Sequence, residues 1–572
     1  MKGFVRIVQM KFPLSYKRIQ INPDNGPFAL GDISGAPALA VGSGSDGFTV
    51  NNNIVYFAIS VVGSIVLEPG LVYTFDTPSI VTGAWFPESS VPWSFGGPMD
   101  GVGLSYPNYR LTTTTGDTQP AIANGPNGEF YVAFRTNGSM PNRYNMSTIP
   151  SFCPSTNLGT SDIVVVQAWI DLANMFRVPG TRANWWIQDA SINSIHNESN
   201  PQLSCDRTNR FLYMVHQSDE NILCFPTIGT GPNVVLSCIT LTANPDNGAL
   251  RGTGTVVWRE AQTGINCAGA TTNPAIATDQ HGAVYVAVEI NAPIQGGAYP
   301  EASQVIDVIK FLNNSITSYD AATTPPFGIP PGIFTSMDRS YVLSGIDPSI
   351  FPESGVCSKP TIACDPVGGL VVLAFTTTGT MPGQSQSTYL EAGGTDVVVI
   401  SFLSDGTLLS VLQGDMWSPA FNPYTSARDV SLTSDSAGNI FISYIIKTAA
   451  GTESILAYQL YPSSLAQLWN YQEPGGIDYT AYAYAMTGAP NAIYNTAPLG
   501  SFTKTPPAIL LNQLFIATSS TQTPIGGTAP TNHGLTINGF TNALYTFDNT
   551  VFNYMANTKS ICACGSTNCG CS

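Results

Sequence analysis

Pro274-Ala-Ile-Ala-Thr-Asp279-Gln-His-Gly282-Ala-Val-Tyr285-Val-Ala-Val288 contains two short apolar runs separated by an Asp and a Gly. Runs of this length, bounded by turn residues and rich in β-branched and aromatic side chains, read as two strands joined by a tight turn. Asp accepts bonds from nearby backbone amides, and Gly supplies a positive φ without steric cost. The same phrase returns from Pro120 (PAIANGPNGEFYVAF) and from Pro360 (PTIACDPVGGLVVLAF, with Asp365 and Gly368). Weaker copies begin at Pro37, Pro201, Val430 and Pro507. The seven copies are 83, 81, 73, 86, 70 and 77 residues apart, so repetition governs the fold. A unit this small cannot bury its own apolar face and must stack on its neighbours.

A second apolar phrase follows each first one. It begins at Leu71, Asp162, Val234, Val305, Asp396, Glu453 and Asn542. A third segment often carries tryptophan, at Trp185, Trp186, Trp258, Trp417 and Trp469. Two strands from the first phrase, one from the second and one around the tryptophan make four per repeat. Seven four-stranded antiparallel sheets arranged radially form an all-β, seven-bladed β-propeller. Compact propeller repeats span roughly 40–50 residues. Here about 30 further residues per repeat fall in connections.

Cys364 to Gly414 carries a fuller pattern: Asp365-x-x-Gly368, then Thr377-x-Gly379, then Gly393-Gly394-Thr395-Asp396-Val397-Val398, then Asp405-Gly406-x-Leu408. This resembles a repeat family of seven-bladed propellers with D-x-x-G-N-x-Y-V and G-G-x-D-A-F-V signatures. The resemblance covers residues 31–558 and implies the propeller fold, with members that act mostly as binding or surface modules. The asparagine-rich texture also resembles repeat proteins of large DNA viruses. Residues 1–30 then read as a basic arm or closing strand, 31–558 as the propeller, and 559–572 as a cysteine-rich tail.

Only 10% of the 572 residues are charged, while 43% are hydrophobic. Soluble proteins average roughly 25% charged residues. The surface must therefore be built of Asn, Ser, Thr, Gly and Pro, which suits a packed assembly or a glycan contact. A net charge of −16 argues against nucleic acid as a partner, because phosphate binding needs clustered Lys and Arg. Lys2, Arg6, Lys11, Lys17 and Arg18 precede the first acid, Asp24. They form either a docking arm or one exposed strand, and the alternation of Val5, Ile7 and Gln9 predicts a strand over Gly3–Phe12 beside the last blade. No secretory h-region and no membrane span is visible.

Chemical signals are sparse. Cys562, Cys564, Cys569 and Cys571 are spaced C-x-C-x4-C-x-C, open to zinc, to disulfides or to a plain tail. Cys205, Cys238 and Cys364 sit in apolar strands, and Cys357 and Cys364 are candidates to meet across a strand pair. Phe176-Arg177-Val178-Pro179 resembles one sialidase segment, without the repeated turns that accompany it in sialidases. His216 reads as a strand residue near the axis and His281 as an exposed turn residue. Asp206, Asp279, Asp365 and Asp435 recur once per repeat and read as turn formers rather than calcium ligands. No catalytic set, cofactor or nucleotide loop emerges. The expectation is a non-enzymatic virion or particle-surface propeller contacting virion proteins or glycans, with a carbohydrate-active propeller enzyme as the alternative. Its contact face would be built by the inserts Thr136–Ser161, Asn291–Ser303 and Thr376–Gly394.

Overall fold

The computed structural model describes residues 15–21, 32–45, 50–68, 71–85, 93–98, 116–125, 129–140, 160–171, 180–206, 211–219, 231–241, 254–279, 281–300, 304–313, 337–365, 369–384, 393–413, 424–434, 440–448, 453–460, 467–472, 485–488, 513–520 and 534–541. These are all-β, and their one α-helix is a single turn, Leu343–Ile346. The strands pair into small antiparallel sheets, six of four strands and one of five. The fourth sheet in chain order is representative. It runs Thr271–Thr278, Val284–Ile290, Val305–Asn313 and Met337–Val342, each strand pairing with the next. First strands of successive sheets are neighbours: Ala38–Ser45 beside Asp117–Asn124, then Glu198–Asp206, Thr271–Thr278, Cys357–Cys364, Tyr424–Ser434 and Ala485–Gly488. Ala485–Gly488 in turn lies beside Ala38–Ser45, so the arrangement is propeller-like, with first strands around a common axis.

Packing explains why the second strands read as continuous apolar runs. Every residue of Val284–Ile290 is buried, as are all but one of Phe211–Ser218. Both faces of such a strand lie against neighbouring sheets, so period-2 alternation is lost. One core cluster joins the second and third sheets through Tyr131, Ala133 and Val165 with Leu212 and Met214. Another joins the fifth and sixth through Val372 and Val399 with Ile442 and Tyr444. The tryptophans wedge between sheets. Trp185 lies against Gly254 of the next sheet, where an added Cβ would meet its ring at 2.4 Å. Trp258 meets Phe311 edge-on at 5.9 Å between centroids. Trp417 lies outside the described residues.

The turn spacing of the repeat is explained by hydrogen bonds. Asp279 Oδ1 accepts the N–H of His281 and of Ala283, and Oδ2 accepts the Tyr285 hydroxyl at 3.2 Å. The tyrosine six residues on thus closes the turn onto its own strand, and Asp279 is occupied without any ion. His281 is exposed, as its turn position implies. Asp435 lies outside the described residues.

Connections are held by buried amides. Asn266 Oδ1 accepts the Val234 N–H at 2.7 Å, and its Nδ2 donates to the carbonyls of Val234 and Ala261, both at 2.9 Å. Asn193 makes the same pair of bonds to Ile163 one sheet earlier. Gln188 and Gln413 clamp the T-x-G-x-M segments: each accepts a methionine N–H, of Met140 or Met381, and donates to a glycine carbonyl, of Gly138 or Gly379.

Three expectations require correction. The Pro507 copy does not supply the first strand of the last sheet. That strand is Ala485–Gly488, paired to Gln513–Ser520. PAILLNQLFIAT lacks the Asp and Gly that give the phrase its tight turn, and residues 507–512 lie outside the described residues. The third strand of that sheet is Gly534–Thr541 rather than the stretch from Asn542, which lies outside the described residues. Cys357 and Cys364 do not face each other. They lie at opposite ends of one strand, about 23 Å apart at 3.3 Å per residue, and both are free thiols. The last sheet does take a fourth strand from the N-terminus, Ser15–Ile21, paired along its length to Gly534–Thr541. Gly3–Phe12 and the tail with Cys562, Cys564, Cys569 and Cys571 lie outside the described residues.

Two measurements check this account. Asn266→Ala removes three buried bonds and should cost about 1–3 kcal/mol, the range for a buried group left unsatisfied. An unchanged denaturant midpoint would show that the clamp contributes nothing. Deleting residues 1–21 exposes the ladder edge of Gly534–Thr541 and should lower the thermal midpoint by several degrees, with increased aggregation from the open edge. A midpoint equal to that of the full chain would contradict closure by this strand.

Candidate functional site at the axis

Five first strands share a register shift at an equivalent place. The shifts fall between Thr118 and Ala121, Ser199 and Gln202, Thr272 and Ala275, Ser358 and Thr361, and Arg428 and Ser431. In four of them the bulge contains proline, which has no N–H to give the ladder. The residue before it, Gln119, Asn200, Asn273 or Lys359, has φ between 45° and 53°. Asp429 adopts φ 52° before Val430, so the bulge belongs to the fold and does not require proline. Left-handed backbone at a non-glycine residue costs about 1–3 kcal/mol. Five such residues at one level of neighbouring first strands form a ring around the axis.

Hydrogen bonds connect the ring from sheet to sheet. Gln119 Oε1 accepts the Asn200 N–H at 2.9 Å, and Asn200 Nδ2 donates to Asn273 Oδ1 at 3.1 Å. Asn273 Nδ2 donates to Glu289 Oε2 at 2.9 Å, and Glu289 Oε1 accepts the Lys359 N–H at 2.6 Å. Lys359 Nζ then reaches Asp429 Oδ1 at 2.5 Å, and Arg428 bonds the other oxygen of Asp429. Gln217 Oε1 accepts the Asn273 N–H at 3.4 Å. A bulged residue's N–H has left its own ladder, and an acceptor on the preceding sheet satisfies it. Gln217 and Glu289 occupy equivalent positions for that purpose, opposite Ser199 and Thr272.

The two carboxylates of the ring have different environments. Glu289 is 3% exposed and also accepts from Thr272 and Gln304. Its oxygens are committed to holding the ring. Asp429 has an 8% exposed side chain between Arg428 and a Lys359 side chain that is 61% exposed. Burial pushes the Asp429 carboxyl up, but Lys359 and Arg428 together more than offset this and hold it below the usual carboxylate range. Asp429 is therefore an ionised carboxylate with one cation open to solvent.

The ring lies at the end of the sheets from which the long connections leave. Asp117 pairs Thr136, Thr271 pairs Ile290 and Cys357 pairs Thr377, so residues 137–161, 291–304 and 378–395 depart beside the starts of the first strands. His216 is not part of the ring. It fills a core position that Phe134, Val288, Phe375 and Tyr444 hold elsewhere, and its Nε2 sits 3.2 Å from Glu198 Oε2 with neither side chain exposed. Residues 176–179 and His533 lie outside the described residues. Among those described, no group of His, Cys, Asp and Glu has the arrangement of a metal site. No helix among them is long and apolar enough to cross a membrane.

No family model and no curated protein matches the chain. Among solved structures it is similar to a Trypanosoma rangeli sialidase bound to the inhibitor DANA, with 11% identity and TM-score 0.34, over 78% of this chain and 57% of the sialidase. The chain thus spans little more than half the length of that enzyme. A Hadza microbial sialidase, Hz136, is similar at 10% identity and TM-score 0.33, over 93% of both chains. A thermostable family-43 glycoside hydrolase is similar at 14% identity and TM-score 0.29, over 69% of this chain and 97% of the hydrolase. All are likenesses of fold at low identity. The expectation of a non-enzymatic virion or particle-surface component is corrected by them: the solved structures that resemble this chain include sialidases and glycoside hydrolases.

The pairing of Asp429 sets a pH dependence. Its folded pKa lies below its unfolded value, so its contribution to stability is present above about pH 4 and is lost as the pH falls through the folded value. Asp429→Asn should be less stable than the native chain at pH 7, and the gap should narrow below about pH 4. Thermal unfolding across pH 2–7 reads this directly. A gap that stays constant with pH would show that the ionised pair is not its source.

Proposed function

We propose that this protein is a seven-bladed β-propeller that acts on a carbohydrate at the insert end of its axis. The blade number is supported by the seven sheets and by the cycle of neighbouring first strands. The observation that carries the functional reading is the Lys359–Asp429–Arg428 group, held at the axis by left-handed backbone and shielded from bulk water on one side. Strained backbone at several equivalent positions, bearing polar side chains around one axis, points to a site built for use. Amides and charges fixed in direction suit a ligand made of hydroxyl groups. Glycoside cleavage passes through an oxocarbenium-like state and uses an ionised carboxylate beside it together with a second, protonated group that gives its proton to the leaving oxygen. Asp429 has the electrostatics for that role, as nucleophile or stabilising anion. Glu289 and the amides keep the ring in place around it.

Turnover of a panel of aryl glycosides and polysaccharides tests the reading. At least one should be cleaved, and Asp429→Asn should lower kcat by about 10²–10⁴-fold, the usual scale for losing a catalytic carboxylate. Cleavage that survives the substitution undiminished would remove Asp429 from the mechanism. No cleavage of any panel member would overturn the enzymatic reading.

A further inference from the structure

Arg135 lies in Phe130–Thr136, opposite Thr118, at the ladder position that Gln217 and Glu289 hold in the next two sheets. In those sheets the side chain accepts the N–H of the following bulge residue. A guanidinium has donors and no acceptor, so it cannot do this. Gln119 serves the Asn200 N–H instead, using its own side-chain carbonyl. Arg135 therefore occupies a position where the repeat already has a residue better suited to the fold.

The side chain is half-buried, and its Nε is shielded from solvent without an acceptor. Burying a donor without a partner is unfavourable, because the group gives up its bond to water and gains none in return. No described carboxylate forms an ion pair with it, whereas Lys359 and Arg428 are both engaged by Asp429. Arg135 is thus the uncommitted cation of the ring. Gln119, the exposed residue next to Thr118, leaves its side-chain NH2 without a described acceptor. The backbone places both donors at the insert end of the axis, on the side away from Asp429.

We propose that Arg135, assisted by the Gln119 amide, binds a carboxylate carried by the sugar, so that the ligand of the ring is an acidic glycan. This rests on the carbohydrate reading of the ring. A planar guanidinium matches a carboxylate with two parallel N–H···O bonds, stronger than neutral pairs and directional. The carboxylate would supply the acceptor that Nε lacks, and it would place the sugar between Arg135 and Asp429.

The test is a glycan array pairing neutral oligosaccharides with otherwise identical ones that carry uronic or nonulosonic acids. Arg135→Gln and Arg135→Lys are probed beside the native chain. The native protein should retain carboxylated members over their neutral partners. Arg135→Gln should lose that preference by about tenfold or more, and Arg135→Lys should fall between them because it keeps charge but not the fork. The thermal midpoint of Arg135→Gln should equal or exceed that of the native chain, since an amide restores the acceptor used in other sheets. Equal retention of neutral and acidic members, or an undiminished preference in Arg135→Gln, would overturn the carboxylate site and leave the carbohydrate reading standing. A midpoint lowered by several degrees would assign Arg135 to holding the fold and overturn the proposal. Retention of no glycan at all would remove both readings together.

Discussion

A backbone N–H that leaves its ladder must find an acceptor elsewhere, and the architecture of this chain depends on where that acceptor lies. Bulged first strands release the N–H of Asn200, Asn273 and Lys359 towards the preceding sheet. Gln119, Gln217 and Glu289 accept these N–H groups, so the sheets are joined at the axis by hydrogen bonds as well as by apolar contact. Apolar burial between sheets tolerates sliding, because dispersion and the hydrophobic effect have little directional preference. A hydrogen bond from a fixed N–H to a fixed side chain does not. The ring therefore sets the register of one sheet against the next, while the cores formed by Val284–Ile290 and its equivalents supply the bulk of the stabilisation.

The same division of labour appears at the outer parts of each sheet. Trp185 and Trp258 fill space between neighbouring sheets, and Gly254 is required because a Cβ there would enter the Trp185 ring. Asn193, Asn266, Gln188 and Gln413 then secure the connections. Each offers a carbonyl and an NH2 to groups that the strand ends leave unpaired. A chain poor in charge has to satisfy buried polar groups with amides. Its abundance of Asn and Gln therefore has an interior use, beside the surface role that composition alone suggests.

How much of this was legible in the sequence follows from how local each signal is. The Asp279–Gly282–Tyr285 spacing is local, and it yields the turn, the two strands and the repeat. Proline after Gln119, Asn200, Asn273 and Lys359 was also visible, and it marked the start of each phrase. Its meaning as a bulge was not, because a register shift is a property of two strands. Asp429 before Val430 shows that reading the prolines as bulge markers would still have missed one ring member. The clamps by Asn193 and Asn266 depend on a connection folding back over a strand, for which no short spacing exists. The last sheet is the opposite case: PAILLNQLFIAT matches the phrase in apolar character while lacking the turn residues that give the phrase its geometry. Lys359 carries no signal in its own neighbourhood; its signal lies in its equivalence to Asn200 and Asn273.

Scarce charge makes the axial group more informative than it would be in an ordinary protein. With 10% of residues charged, placing Arg135, Glu289, Lys359, Arg428 and Asp429 at one level of adjacent strands is costly for a purely structural ring. The clamps by Asn193, Asn266, Gln188 and Gln413 show that the chain has a neutral solution to the same problem, used beside the buried carboxylates Glu198 and Asp307, which accept from Ser194 and Ser344. Gln217 shows that an amide also works within the ring itself. Glu289 likewise serves a backbone group, the Lys359 N–H, so it is the charge at Arg135, Lys359 and Asp429 that needs a further reason. Exchanging fixed ions for bound ligand groups at a partly dehydrated axis provides one, because electrostatic interactions strengthen as water is excluded.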